Sequence, residues 1–261
     1  MKIEDGYVIF EPTDNVKIEP KRISGHSFVE LLGLNKFTLK GDALLYMFNI
    51  LHRNVDDIYQ KRGEFAEKLV KRWLEQRGKT CITYDSKIIK YTNFPTNKNF
   101  GGVIDIDLPV ERTLVEVKSK SMSKYSIIKQ TKPLDEIYQA MLYAYLSGYK
   151  TFIMQWVFFD EQTENEIFRG LKPTTLQNVK GISAVYQVDK SDIFIKMWQA
   201  KEIVDDFIKT KKIELKDISE KCFVELNKQN FNKKENEEQE VELIEEDLFT
   251  FNEADFEDMG F

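Results

Sequence analysis

In the run LVEVKSK, Leu114 to Lys120, successive side chains of an extended chain point to opposite faces. Glu116 and Lys118 then share one face, while Val115 and Val117 share the other. A carboxylate beside an ammonium on one face of a strand is a unit that can bind a cation and address a water or an anion. Just upstream, VIDIDL carries Asp105 and Asp107 on one face of a second strand-like run, joined to the first by Pro109 to Arg112. If the two runs pair as antiparallel neighbours, an aspartate comes close to Glu116. Unpaired carboxylates so close repel, which favours a bound divalent cation as their neutralising partner. Oxygen donors with no His or Cys cluster point to Mg²⁺, or Mn²⁺, rather than Zn²⁺.

A third carboxylate comes from a helical pattern between about Val55 and Arg77, where Leu69, Val70, Trp73 and Leu74 form an apolar face. Glu67 lies toward that face, three residues before Val70 and seven before Leu74, and a carboxylate there needs a partner. Glu64, one turn earlier, is the alternative. Beyond the Lys118 strand, Gln139 and Tyr143 stand four apart in a helix expected from about Leu134 to Leu146, between Pro133 and Gly148, so both can face the same edge of the sheet.

The remaining chain must position these groups. RISGHSFVELLGLNKF, Arg22 to Phe37, reads as a cap at Ser24 and a short amphipathic helix ended by Gly33. A further helix is expected from about Gly41 to Leu51. Strands are expected at Thr80 to Tyr84 and Ser86 to Tyr91, and TFIMQWVFF, Thr151 to Phe159, has the uniform apolarity of a central strand. Gly101 and Gly102 suggest a bend or a close backbone approach before the aspartate strand. DIFIKMWQAKEIVDDFIKTK is an amphipathic helix. Trp73, Trp156 and Trp198 all fall in apolar patterns and are expected in the core; Cys81 reads as strand packing and Cys222 as incidental.

Composition sets the bounds. The chain has 261 residues, 42% hydrophobic, with 19 Phe and 11 Tyr, enough to fold as a substantial α/β body. Two cysteines are too few for a disulfide framework or a four-cysteine metal site. With no long apolar span and no basic-then-apolar start, neither membrane anchor nor signal peptide is expected, and the expected location is the cytoplasm. The net charge of -6 is unevenly spread: Lys233 to Phe261 hold twelve acidic residues and two lysines, leaving +4 on the first 232 residues. A mildly basic body permits a polyanionic partner. The organisation expected is an N-terminal segment over residues 1–54 packed on the core, a core with a C-terminal helical extension over 55–232, and an acidic, disordered tail over 233–261.

Taken in order, a helix with Glu67 after Gly63, GGVID with Asp105, VEVK with Glu116 and Lys118, and QAMLYAY with Gln139 and Tyr143 resemble the PD-(D/E)XK nuclease superfamily. The leading segment Arg22 to Phe37 is similar to that of phage recombination exonucleases of the YqaJ and lambda-exonuclease-like type. The resemblance implies a restriction-endonuclease-like fold with a central mixed β-sheet flanked by helices. It favours Asp105 over Asp107, because Gly-x-Ile precedes Asp105, and keeps Asp107 and Glu64 as fallback ligands. One or two Mg²⁺ ions would be held by Asp105, Glu116, the Val117 carbonyl and Glu67, with Lys118 orienting or helping to deprotonate water and Gln139 positioning the edge.

DNA contacts implied are Tyr143, Ser119, Lys120, Lys124 and Lys129, with Arg22, Ser24 and His26 if the leading segment lines the channel. The implied activity is 5′ to 3′ resection of double-stranded DNA from free ends, in a bacterial or phage-infected host cell, with an endonuclease of restriction or structure-selective type and a non-cleaving DNA-binding or interaction module as the alternatives. A single-strand annealing recombinase would take up the product, and ring-shaped homo-oligomers occur in the resembled family. Separately, the end of the tail, with Asp255, Phe256, Glu257, Asp258, Met259, Gly260 and Phe261, is similar to the tips of bacterial single-stranded-DNA-binding proteins and suggests a docking peptide for a protein partner.

Overall fold

A computed structural model describes residues 1–11, 22–53, 56–85, 94 and 97–228. The strand expected at Ser86 to Tyr91 and the acidic tail lie outside the described residues. Four strands form the central sheet: β3 (Ile106–Leu108), β4 (Thr113–Ser121), β5 (Thr151–Phe159) and β6 (Lys180–Gln187). They lie in the order β3-β4-β5-β6. β3 and β6 are antiparallel to their neighbours, while β4 and β5 run parallel with Glu116 opposite Met154 and Lys118 opposite Trp156. A small second sheet joins β1 (Lys2–Glu4), β2 (Tyr7–Ile9) and β7 (Lys212–Glu214). Asp5 and Gly6, both with positive φ, close the β1-β2 hairpin.

The helices are α1 (Gly25–Leu31), α2 (Lys40–Met47), α3 (Asp57–Glu75), α4 (Tyr125–Gln130), α5 (Leu134–Leu146), α6 (Glu161–Phe168) and α7 (Lys190–Thr210). Local chemistry fixes their ends. Ser24 caps α1 by accepting from Ser27 N–H at 3.2 Å. After α5 the chain turns at Gly148, φ +71°, where the Tyr149 N–H reaches back to the Ala144 carbonyl at 2.9 Å.

The period-two alternation of β4 separates two apolar cores. Leu114 joins Phe152, Met154, Trp156 and Phe158 of β5 on the face covered by α1, α2, α5 and α7. Val115 and Val117 join Val157 and Phe159 on the other face, under Ala66, Val70 and Leu74 of α3 and Ile167 of α6. β5 is therefore apolar almost throughout because helices cover it on both sides.

Several sequence expectations need correction. The run Val103 to Leu108 is strand only from Ile106, so Asp105 lies on the approach to β3. Thr80 to Tyr84 contributes a single bridge, Ile82 to Asp107. Of the tryptophans only Trp156 is buried, whereas Trp73 is 44% and Trp198 56% exposed. Trp73 instead carries the Arg77 guanidinium over its ring at 3.9 Å. Cys222 is buried, with its thiol 3.1 Å from the Tyr46 hydroxyl.

Candidate active site

The even positions of β4 face α5. Glu116, Lys118 and Lys120 present side chains that are 1%, 22% and 29% exposed, so this face opens progressively toward the end of the strand. Helix α5 answers with Glu136, Gln139 and Tyr143, which recur at helical spacing along one side. Lys118 Nζ donates to Glu116 Oε1 at 2.9 Å and to Gln139 Oε1 at 3.1 Å, while Gln139 Nε2 donates to the same Glu116 oxygen at 2.9 Å. The three side chains thus form a closed triangle. Asp105 enters from the adjoining segment, and its Oδ2 accepts the Val117 N–H at 2.8 Å.

Glu116 Oε2 is buried and, among the described residues, has no hydrogen-bond partner. A buried lone oxygen of this kind is costly unless something polar meets it. Burial, followed by the charge of Asp105, pushes Glu116 up to about 7. Asp105 is also pushed up to about 7 by burial, and the Glu67 charge adds to that against the relief from Lys118. Glu67 on α3 reaches about 7 through burial and then the charge of Glu116. Burial would favour a neutral amine at Lys118, but Glu116 and Asp105 outweigh it and hold the lysine above its ordinary range. Three carboxylates that raise one another are a donor set suited to a hard divalent cation. Among the described residues no three His, Cys, Asp or Glu side chains converge as a metal cage.

Asp107 is engaged elsewhere. Tyr84 donates to its Oδ2 at 3.0 Å and Tyr149 to its Oδ1 at 2.8 Å. Both oxygens are spoken for, which leaves Asp105 as the aspartate beside Glu116. Glu64 is exposed and accepts from Gln60 at 3.1 Å.

Other residues fall where the sequence did not place them. Tyr143 is only 5% exposed and stacks near Phe94, and its hydroxyl accepts the Gly25 N–H at 3.2 Å. A Cβ at Gly102 would lie 2.4 Å from the Tyr143 ring, and one at Gly25 would lie 2.6 Å from its hydroxyl. Tyr143 is therefore a buttress wedged between two glycines, not a surface group. Gly102 permits the close approach expected of it.

Ser119 lies on the opposite face of β4 from Glu116, within 3.4 Å of Arg62 Nε. Arg62 also pairs with Glu164 at 2.5 Å. Lys124 and Lys129 are exposed on the turn Met122–Lys124 and on α4. Arg22, Ser24 and His26 line a cleft of about 560 Å³ with His52 and Arg53. The segment that carries Arg22, Ser24 and His26 is tied to the approach to Asp105, since Ile23 exchanges backbone hydrogen bonds with Asn99 at 2.7 Å and Gly101 at 3.1 Å.

Glu136 was not singled out by the sequence. It is 9% exposed, accepts the Trp156 indole N–H at 2.6 Å and pairs with Lys120. Its three-residue offset from Gln139 was the available signal.

The fold is a mixed four-stranded sheet covered by helices on both faces, with Glu116 and Lys118 on β4 and Asp105 on the approach to β3. Among solved structures it is similar to a phage-related exonuclease from Haemophilus somnus 129PT, with a TM-score of 0.52 and 11% identity over 73% of this chain and 95% of that one. It is also similar to an alkaline exonuclease from Laribacter hongkongensis, with a TM-score of 0.48 and 12% identity over 72% and 90% of the two chains. Neither family models nor curated proteins give a match to the sequence. Among the described residues no helix is long and apolar enough to cross a membrane.

Proposed function

We propose that this protein hydrolyses DNA phosphodiester bonds with a divalent metal, resecting linear double-stranded DNA 5′ to 3′ from its free ends. The observation that carries the reading is the Glu116–Lys118–Gln139 triangle beside Asp105, with Glu116 Oε2 buried and, among the described residues, unpartnered. Asp105, Glu116 and the Val117 carbonyl would hold Mg²⁺ or Mn²⁺, one ion or two, with Glu67 supporting the second. Such an ion supplies Lewis-acid stabilisation of charge on the phosphate and leaving oxygen.

The chain's own groups do the positioning. Lys118, fixed between Glu116 and Gln139, orients the attacking water against the phosphate. Gln139 holds both members of the Glu-Lys pair in register, and Tyr143 fixes Gln139's helix against the leading segment. Arg22, Ser24 and His26 on one side, and Lys120, Lys124 and Lys129 on the other, supply backbone-phosphate contacts that carry no sequence information. A single-strand annealing protein as consumer of the product, a homo-oligomeric assembly and a protein-docking role for the acidic tail belong to the same reading.

The test is incubation of linear and covalently closed circular duplexes with Mg²⁺ and with EDTA. The expected result is Mg²⁺-dependent loss of the linear duplex alone, abolished in Glu116→Ala and Lys118→Ala proteins that retain their circular dichroism. Cleavage of the closed circle would redirect the reading to an endonuclease. Undiminished cleavage by both variants would overturn the site.

A further inference from the structure

Glu136 poses an electrostatic puzzle. A surface meant to receive a polyanion gains nothing from another carboxylate, yet this one lies along the same helix face as Gln139, pairs with Lys120, and is nearly buried. Two structural needs explain it only in part. The Trp156 indole N–H, fully buried, requires an acceptor, but a neutral amide oxygen would serve. The first turn of α5 favours an acidic residue, but Asp135 beside it already provides one. Lys120 pairs directly with the negative charge, and Lys118 feels it at longer range.

Geometry separates the two members of the pair. One oxygen of Glu136 is tied to an indole that cannot move, so the carboxylate stays in place whether or not the lysine does. Lys120 sits at the open end of the β4 face, one alternation beyond Lys118, with 29% of its side chain exposed. Its flexible four-carbon stem lets the ammonium turn outward.

We propose that Glu136 acts as a fixed internal stand-in for a backbone phosphate, occupying Lys120 in the free protein and yielding it to a phosphate of the bound nucleic acid. Glu136 is then a positioning residue: it holds Lys120 in place and sets the threshold a polyanion must exceed to engage this end of the site. The inference rests on the nucleic-acid reading above, and it assigns to that site a competitor built into the fold.

Binding of a fluorescent linear duplex, followed by anisotropy over a salt series in EDTA and again in Ca²⁺, tests it. Glu136→Gln should tighten binding about three- to tenfold, the scale of one partly screened ion pair. Lys120→Gln should weaken binding and make the slope of log K against log salt shallower by about 0.9, the share of one phosphate contact. In the Lys120→Gln background, Glu136→Gln should bring no further tightening. Tightening that persists without Lys120 would mean a general charge effect and would overturn the proposal, as would weaker binding by Glu136→Gln.

A second readout needs no change at Glu136. With Trp73 and Trp198 replaced by Phe, the remaining emission comes from Trp156, whose indole N–H reports on its carboxylate. Duplex addition should shift that emission, and in the Lys120→Gln background it should not. No shift with duplex bound would refute the exchange. Failure of the parent chain to bind any duplex in either medium would instead refute the nucleic-acid reading itself.

Discussion

Substituting Gly25 by Ala tests the wedge that holds the helix carrying Gln139. A Cβ built at Gly25 would lie 2.6 Å from the Tyr143 hydroxyl, 2.7 Å from Tyr143 Cζ and 2.7 Å from Gln139 Cγ. Tyr143 has little room to retreat, because Gly102 also packs closely against its ring and Phe94 stacks near it at 5.9 Å. Overpacking of this kind costs about 1–3 kcal/mol. Loss of the Gly25 N–H to Tyr143 bond adds about 1 kcal/mol, and the better helix propensity of Ala returns at most about 1 kcal/mol. The net is roughly 1–3 kcal/mol, and thermal unfolding by circular dichroism should show Tm lower by roughly 2–12 °C. Gly63, in α3, is the control: its Cβ would meet nothing within 4 Å, so Gly63→Ala should raise stability by about 1 kcal/mol. In a Tyr143→Phe background the Gly25→Ala cost should shrink, because the nearest atom is gone. DNA cleavage by Gly25→Ala should fall even where the protein remains folded, since Gln139 is displaced from Glu116 and Lys118. If Gly25→Ala is as stable as Gly63→Ala, the wedge is wrong.

Three further outcomes follow from the same geometry. Tyr149→Phe should cost about 1–3 kcal/mol in urea unfolding by stranding an oxygen of Asp107, with cleavage per folded molecule unchanged; a loss of cleavage would return Asp107 to the candidate ligands. Mg²⁺, by binding only the folded form, should stabilise the parent chain by about 2.7 kcal/mol at a hundredfold excess over Kd and so raise its Tm, and should not raise that of Glu116→Ala; equal shifts would place the ion elsewhere. Glu30 concerns pH. Burial would raise its pKa, but His26 and Arg53 outweigh burial and hold it below the ordinary carboxylate range, with Arg53 Nη2 at 2.7 Å. Its contribution to stability is therefore complete above the unfolded pKa and lost as pH falls through the lower folded one. Urea midpoints across the acid range should drop more steeply for the parent chain than for Glu30→Gln, and parallel curves would refute the assignment.

What could be read in the sequence was whatever depended on local period. β5 was bounded at Thr151 and Phe159, and α5 at Leu134 and Leu146, as the structure has them, because uniform apolarity marks one and Pro133 and Gly148 punctuate the other. The Glu116–Lys118 face was legible for the same reason. The period also placed Ser119 with Val115 and Val117, opposite Glu116, a consequence that its neighbourhood to two lysines obscured. Asp105 and Asp107 could not be separated locally: the distinction is made by Tyr84 and Tyr149, which reach Asp107 from 23 and 42 residues away. Trp73 and Trp198 show the limit of an apolar stripe, which fixes a helix face but not how far along that face the cover extends.

The deeper regularity lies in α5. Its successive inward positions, Glu136, Gln139 and Tyr143, meet Lys120, then the Glu116–Lys118 pair, then the backbone of Gly25. One helix face thus connects the open end of the site, its centre and the leading segment that lines the neighbouring cleft. Because Gly25 and Gly102 clasp Tyr143 at one end while Trp156 holds Glu136 at the other, the helix is fixed at both ends and Gln139 is held between them. A loosened clasp should therefore degrade the centre before it unfolds the protein. The two glycines, though they carry no chemistry, are accordingly as constrained by the proposed reaction as the charged residues they help to align.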